Sequence, residues 1–251
     1  PSPFDQNSGL ILLPAQLPKG KELEDMAKGV VDFRFNPKQL EAVKDKLKLS
    51  PFIDWQPQRM LGDIYEGLKA RDASDKERKI NIIYEENKGL IREPATVLKE
   101  GKADCDEVMR TAYLVAWESG IKNIVMIEMK WTDPKTNERT GHSAIIVIPK
   151  NKDEQSRIYD FTYFKKGKPF TIGTDSDLEA AIRKEYAADA VNPNFRITLR
   201  NNLNEVEAAH YGFVGKYFAN KKEFGRTAEA YERAVNLAPQ EFEYNWGLAV
   251  A

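Results

Sequence analysis

One cysteine, placed among acidic residues, is the side chain in this sequence best suited to covalent chemistry. Cys105 lies in GKADCDE (101–107) and is the only cysteine in the chain. A thiol attacks carbonyl groups as its thiolate, which a nearby imidazole or a helix N-terminus favours. A helical apolar pattern follows Cys105 and ends at Gly120, and Asp104 is of a type that caps helix starts. The sequence predicts Cys105 in the first turn of a helix, where the flanking acids oppose thiolate formation unless they point away.

A base and an orienting acid follow at later positions in the chain. His142 comes directly after Gly141 at the head of a predicted strand, and Asp160 lies in the next one. Adjacent antiparallel strands bring their side chains within reach, and an acid inside an apolar strand needs a partner. We therefore expect Cys105 as nucleophile, His142 as base and Asp160 as the group that fixes the imidazole. Taken singly, each also fits a structural role, such as a buried thiol or a surface histidine.

The elements that must position these residues form an α+β pattern. Apolar spacing predicts helices over 37–48, 58–70 and 74–88, after an extended proline-containing arm at 1–20. Alternating apolar residues predict strands over 124–131, 142–148 and 157–164, then a short helix over 177–186 and a strand over 195–199. Short turns between consecutive strands favour an antiparallel meander. We expect N-terminal helices packed on an antiparallel sheet.

The C-terminal fifty residues carry a repeat pattern. Two predicted helices, over 203–219 and 223–237, place large, small and aromatic residues at fixed offsets. These residues are Tyr211, Gly215, Phe218, Tyr231, Ala234 and Pro239. The segment resembles one tetratricopeptide repeat, a unit that cannot bury its own apolar face. It is expected to pack on the preceding domain, unless the natural chain continues past Ala251, and to offer a surface to a protein partner.

The ordered motifs GKADCDE, GHSAIIV and IYDFTY together resemble the transglutaminase-like superfamily, a papain-like cysteine-enzyme core. The separations (142 − 105 = 37 and 160 − 142 = 18) are in keeping with that core. The resemblance covers roughly residues 75–165. It implies thioester chemistry on an amide or peptide bond of a protein or peptide substrate, carried out by Cys105, His142 and Asp160. It also implies an oxyanion-hole donor upstream of the cysteine, for which the candidates are Trp55, Gln56, Gln58 and Tyr84.

Three domains are predicted from these patterns. Residues 1–72 form an arm and helical region, 73–200 the catalytic core, and 201–251 the repeat-like segment. The leading hypothesis for the core is a peptidase or amidase, with hydrolysis preferred over transamidation because no amine site is indicated. Departures from the family pattern around His142 and Asp160, such as Phe161 where proline is common, leave open an alternative. In that alternative the fold is catalytically inactive and serves as a peptide-binding or scaffold module.

Composition excludes several other classes of function. The chain has 251 residues with 38 Lys and Arg against 39 Asp and Glu, so no basic excess points to nucleic acid. Its apolar stretches are far shorter than a membrane span, and one cysteine cannot form an internal disulfide. One Cys and two His build no metal site without carboxylates, and no cofactor is predicted. The chain begins at Pro1 without methionine, so it is expected to be processed or trimmed, and any targeting signal is removed from view. Its location stays open, with a secreted or periplasmic one slightly favoured over a cytoplasmic one.

Overall fold

The structure is a computed structural model, and it describes residues 32–49, 57–68, 82–85, 89–132, 139–149, 155–162, 169–172, 178–186 and 195–251. These residues fall into two compact units. The larger unit holds the described residues from 34 to 206 apart from 89–91, and the smaller holds 32–33, 89–91 and 207–251. All three candidate catalytic residues belong to the larger unit. The domain boundaries predicted at residues 72 and 200 stay predictions.

The helices of the larger unit begin where the sequence supplies caps or prolines. Asn36 caps the first helix through Gln39, and a proline occupies the first turn of the first three helices. The third ends at Gly101, whose φ of 68° is the left-handed conformation that glycine adopts most readily. These helices are α1 (Pro37–Leu47), α2 (Pro57–Leu68), α3 (Pro94–Glu100), α4 (Cys105–Glu118) and α5 (Leu178–Tyr186).

Five strands of the described residues form one antiparallel sheet: β3 (Ile124–Thr132), β4 (Arg139–Val147), β5 (Ser156–Tyr159), β6 (Phe170–Ile172) and β7 (Arg196–Arg200). Their order across the sheet is β6–β5–β4–β3–β7. Strands β3, β4 and β5 pair consecutively, so the predicted meander is confirmed. The mixed α+β class is likewise confirmed. Strand β6 and helix α3 were not predicted.

The two faces of this sheet carry different helices. Alternate residues of a strand point to opposite faces. One face supplies a core to which α5 contributes Ile182, and Leu178 and Tyr186 pack against it. The sheet residues of this core are Val125, Ile127, Met129, Ala144, Ile146 and Ile158. Helix α4, whose residues from Glu107 to Ala116 are all buried, packs against β3 and β4.

The predicted helix over 74–88 is wrong at the residues that the structure describes. Ile83–Tyr84 form strand β1, which pairs in parallel with β2 (Lys102–Ala103). The Ile83 amide donates to the Gly101 oxygen at 2.8 Å, and the Glu85 amide to the Ala103 oxygen at 3.0 Å. Isoleucine and tyrosine favour strands as much as an apolar helix face, so spacing alone misassigned them. Residues 74–81 and 86–88 lie outside the described residues.

Residues 201–251, all of them described, form three helices: α6 (Leu203–Asn220), α7 (Phe224–Leu237) and α8 (Phe242–Val250). Two glycines allow the ring of Tyr231 to approach closely. A Cβ atom at Gly215 would lie 3.0 Å from that ring, and one at Gly247 would lie 2.5 Å from it. The helix bounds agree with the predicted pair of helices, while the assignment as a tetratricopeptide repeat stays a prediction.

Candidate active site

A reciprocal cap starts the helix that carries the thiol. Asp104 Oδ1 accepts a hydrogen bond from the Glu107 amide at 2.9 Å, and Glu107 Oε2 accepts one from the Asp104 amide at 3.0 Å. This capping box satisfies two of the backbone N–H groups that a helix start leaves unpaired. Cys105 is therefore the first residue of α4, as the sequence predicts.

Glu107 points away from the thiol, toward an arginine that the sequence did not single out. The Glu107 carboxylate is buried and accepts hydrogen bonds from Arg92 Nη1 at 2.8 Å and from the Arg92 amide at 2.7 Å. Arg92 also pairs with Glu85 and Glu100. The negative charge of Glu107 is thus compensated by the guanidinium of Arg92. Only tertiary proximity reveals Arg92, because it precedes Glu107 by 15 residues with a helix between them.

Asp106 remains beside the thiol. Cys105 Sγ lies 4.0 Å from Asp106 Oδ1 and 4.0 Å from the backbone oxygen of Gly141. The hydroxyl of Ser143 donates to the same Asp106 oxygen, and Arg110 Nη2 lies 4.0 Å from the other. These contacts hold the Asp106 carboxylate between the start of α4 and strand β4.

A network of buried ion pairs adjoins Asp106. The Glu128 carboxylate on β3 accepts from Arg110 on α4 and from Arg200 on β7, both at 3.3 Å. All three side chains are buried. Paired charges of this kind are costly to break, because removing one partner leaves the other without compensation in a low-dielectric interior. These ion pairs therefore fix α4 against β3 and β7, in the sheet that also contains β4 and β5.

The surroundings of Cys105 favour the protonated thiol. Burial raises the pKa of Cys105, and the carboxylates of Asp106 and Asp104 raise it further, against smaller lowering effects from Arg110 and a backbone hydrogen bond. Burial, followed by the charge of Glu107, raises the pKa of Asp104 to about 7. The position of Cys105 at a helix N-terminus does not offset the burial and the carboxylates. The thiol is therefore protonated at neutral pH.

The imidazole is held on one side by a buried aspartate that has further hydrogen-bond donors of its own. His142 Nε2 and Asp160 Oδ2 are 2.7 Å apart. The hydroxyl of Tyr186 donates to the same Oδ2 at 3.0 Å, and the Thr162 amide donates to Oδ1 at 3.1 Å. Asp160 is buried. It follows β5 instead of lying within a strand over 157–164 as predicted, because its bond to the Thr162 amide turns the chain at this point.

The two halves of the site meet at the start of β4. Strand alternation puts His142 on the face of the sheet that carries α5, and Gly141 and Ser143 on the face that carries α4. The thiol touches the Gly141 oxygen, one residue before His142. Among the described residues, Sγ makes no hydrogen bond to the imidazole. The structure thus joins His142 to Asp160 directly and brings Cys105 to the adjacent backbone.

The structure describes two of the four candidates for the side-chain donor of an oxyanion hole. Trp55 and Gln56 lie outside the described residues. The side chain of Gln58 donates to the Gln155 oxygen at 3.3 Å, so its amide is already engaged. Tyr84 is 40% exposed and lies on β1, beside the strand that leads into Asp104. Of the candidates that the structure describes, Tyr84 stays the one to test.

The other histidine has a packing role. His210 is buried in the smaller unit, where its ring lies 5.1 Å from that of Phe33 and 5.5 Å from that of Tyr211. Within the described ranges, no group of three or more His, Cys, Asp or Glu residues is arranged to hold a metal ion. None of the helices in those ranges is both long enough and apolar enough to cross a membrane.

Comparison with known proteins gives little further information. No family model matches the sequence, and no curated protein matches it. A solved structure of Legionella pneumophila LapG is similar at 12% sequence identity, with 63% of this chain and 81% of that chain covered and a TM-score of 0.30. A TM-score at that level does not indicate a shared fold, so no inference about fold or function rests on this similarity.

Proposed function

We propose that this protein is a cysteine-dependent acyl-transfer enzyme that hydrolyses amide or peptide bonds at Cys105, with His142 and Asp160 as its base and orienting acid. The observation that carries the proposal is the 2.7 Å contact between His142 and the buried Asp160, one residue along the strand from the backbone oxygen that Cys105 touches. The resemblance of three ordered motifs to the transglutaminase-like core supports the same assignment. A protein or peptide is the substrate.

Acylation begins with the thiol protonated. Because Asp160 holds Nε2, Nδ1 is the ring nitrogen that takes the proton from Sγ as the sulfur attacks the carbonyl carbon. This step requires the thiol to move from the Gly141 oxygen to within reach of the ring when the substrate binds. The tetrahedral oxyanion collapses, the carbon–nitrogen bond breaks, and the imidazolium returns its proton to the departing amine. The product is a thioester on Cys105 together with the free amine.

Deacylation uses the same base. His142 takes a proton from water as the oxygen attacks the thioester carbonyl, and the carbon–sulfur bond breaks. The proton then passes from the imidazolium to the sulfur, which regenerates the thiol and releases a carboxylic acid. Water needs no dedicated binding site, which is why hydrolysis is preferred over transfer to an amine.

A second candidate function is a peptide-binding or scaffold module without catalysis. The observation in its favour is the environment of the thiol, where burial and two carboxylates raise the pKa of Cys105. A thiol that never loses its proton is a packing residue. This alternative predicts that Cys105→Ala leaves partner binding intact and that the thiol reacts no faster in the folded protein than in the denatured one.

Alkylation with iodoacetamide distinguishes the two functions. The chain has one cysteine, so every label reports on Cys105. The enzyme hypothesis predicts that the folded protein reacts at pH 7 at least about tenfold faster than the same chain in urea, because the imidazole assists loss of the proton. His142→Ala should remove this advantage. Equal or slower reaction in the folded protein would refute the proposal and favour the scaffold.

A further inference from the structure

Helix α5 brings a tyrosine hydroxyl to the acid of the candidate triad. Tyr186, the last residue of α5, donates to Asp160 Oδ2 at 3.0 Å, and its ring centroid lies 5.7 Å from that of His142. The residue is 26 positions beyond Asp160 in the chain. No motif in the sequence marks Tyr186. It ends a helical segment whose charged residues are of types common on protein surfaces.

The helix that carries Tyr186 is held in place independently of the site. Ile182 is fully buried in the sheet core, and Leu178 packs against the same core. Arg183 pairs with Glu179 on its own helix and donates to the backbone oxygen of Phe195 at 3.1 Å. The position of the tyrosine hydroxyl is therefore set by the packing of α5 on the sheet.

We propose that Tyr186 is a positioning residue that holds the Asp160 carboxylate and the His142 ring in one fixed arrangement. This proposal rests on the function assigned above to His142 and Asp160. Hydrogen bonds reach both oxygens of this carboxylate: Oδ2 faces His142 and Tyr186, and Oδ1 faces the Thr162 amide. A carboxylate held at both oxygens cannot rotate away from the imidazole without breaking hydrogen bonds in a buried site.

The hydroxyl and the ring of Tyr186 have separable effects. The hydroxyl fixes Oδ2, and through it the proton on Nε2 and the orientation of the ring. The ring lies tilted at 51° to the imidazole and limits its movement away from Asp160. Replacing Tyr186 by phenylalanine removes only the first effect, and replacing it by leucine removes both.

Nuclear magnetic resonance of the imidazoles tests the arrangement without any need for a substrate. The chain has two histidines, so His210, buried in the smaller unit, serves as an internal reference. In the unmodified protein we expect a slowly exchanging Nε2–H proton resonance for His142, because this proton lies in a part-buried hydrogen bond to a carboxylate. In Tyr186→Phe this proton should exchange with water at least about fivefold faster, the effect of losing one hydrogen bond of ordinary strength. The His210 resonances should not change.

Alkylation of Cys105 gives a second readout. We expect Tyr186→Phe to lower the rate of labelling by iodoacetamide at pH 7 by about fivefold, and Tyr186→Leu to lower it further. Tyr113→Phe is the matched control, because it removes a buried hydroxyl that donates to the Ile124 oxygen in the same unit, away from the site. This control should leave the labelling rate and the His142 resonance unchanged. Thermal unfolding of each variant verifies that the fold is retained.

The possible outcomes separate this inference from the proposed function. If His142 Nε2–H exchange is the same in Tyr186→Phe and in the unmodified protein, the positioning role is refuted. If Tyr113→Phe has an equal effect, the role is also refuted, because general destabilisation then explains the change. If exchange responds to Tyr186→Phe alone while the protein cleaves no peptide, the positioning of the imidazole stands and the hydrolase assignment fails.

Discussion

The two halves of the candidate site are built on different physical principles. Around His142, hydrogen bonds converge on one buried carboxylate, and each is close to ideal length. Around Cys105, the pKa is raised by burial and by the carboxylates of Asp106 and Asp104. The imidazole is thus held in one orientation by its hydrogen bonds, whereas the surroundings of the thiol favour its protonated form.

This difference indicates where activation must come from. A nucleophile that is protonated at rest depends on its base at the moment of attack, so most of the reactivity of Cys105 should depend on His142. Stability should depend more on the thiol half, because its buried charges are paired over several elements. The following predictions test these two expectations.

The largest effect is expected from removal of the base. His142→Ala should lower peptide hydrolysis by at least about a thousandfold, because it removes the proposed acceptor of the thiol proton. The measurement is product formation from a peptide library, followed by mass spectrometry. Cys105→Ala should lower the activity to the same extent. An active Cys105→Ala variant would place the chemistry elsewhere.

The second-largest expected effect is a loss of stability when the cation that pairs with Glu107 is removed. Arg92→Met should lower the free energy of unfolding by roughly 3 kcal/mol, because it leaves the buried Glu107 carboxylate without its cation. Urea denaturation measures this quantity. Adding Glu107→Gln to the variant should restore part of the loss, since the uncompensated charge is then gone. If the double variant is no more stable than the single one, the ion pair is not the cause.

Asp104 should give the protein a dependence of stability on pH. Its pKa is about 7 in the folded state, above the ordinary value of 3.8, so folding favours the protonated carboxyl. Stability from this group is complete below pH 4 and is lost as the pH rises to about 7. Asp104→Asn keeps an acceptor for the helix cap. Its free energy of unfolding should therefore rise relative to that of the unmodified protein as the pH goes from 4 to 7. The gain should be on the order of 1–3 kcal/mol in urea denaturation, and a gain independent of pH would contradict the assignment.

The smallest effect isolates one charge next to the thiol. Asp106→Asn removes a carboxylate 4.0 Å from Sγ while keeping an acceptor for Ser143, so the pKa of Cys105 should fall toward its ordinary range. Labelling by iodoacetamide at pH 7 should become up to about tenfold faster. Glu118→Gln, at the far end of the same helix, is the control and should have no effect. An unchanged rate in Asp106→Asn would mean that the charge of Asp106 does not control the reactivity of the thiol.

Local patterns predicted much of this fold because their causes are local. The cap at Asp104 and the stop at Gly120 depend on residues within one turn of the helix, and the meander depends on short turns between apolar strands. The three candidate residues were found by residue type and order. The strand at Ile83–Tyr84 was missed, because its partner strand is nearly twenty residues away and its residues suit a helix as well.

What the sequence by itself determined is therefore the α+β class, the start of α4 at Cys105, and the three candidate catalytic residues. Tertiary structure alone decided which charged and polar side chains meet. Arg92 pairs with Glu107, Arg110 and Arg200 pair with Glu128, and the hydroxyl of Tyr186 donates to Asp160. The physical reason is that side-chain electrostatics depends on distance in space and on burial, neither of which is encoded in local spacing. The charge state of the thiol belongs to this second class, since it is set by folding around Cys105.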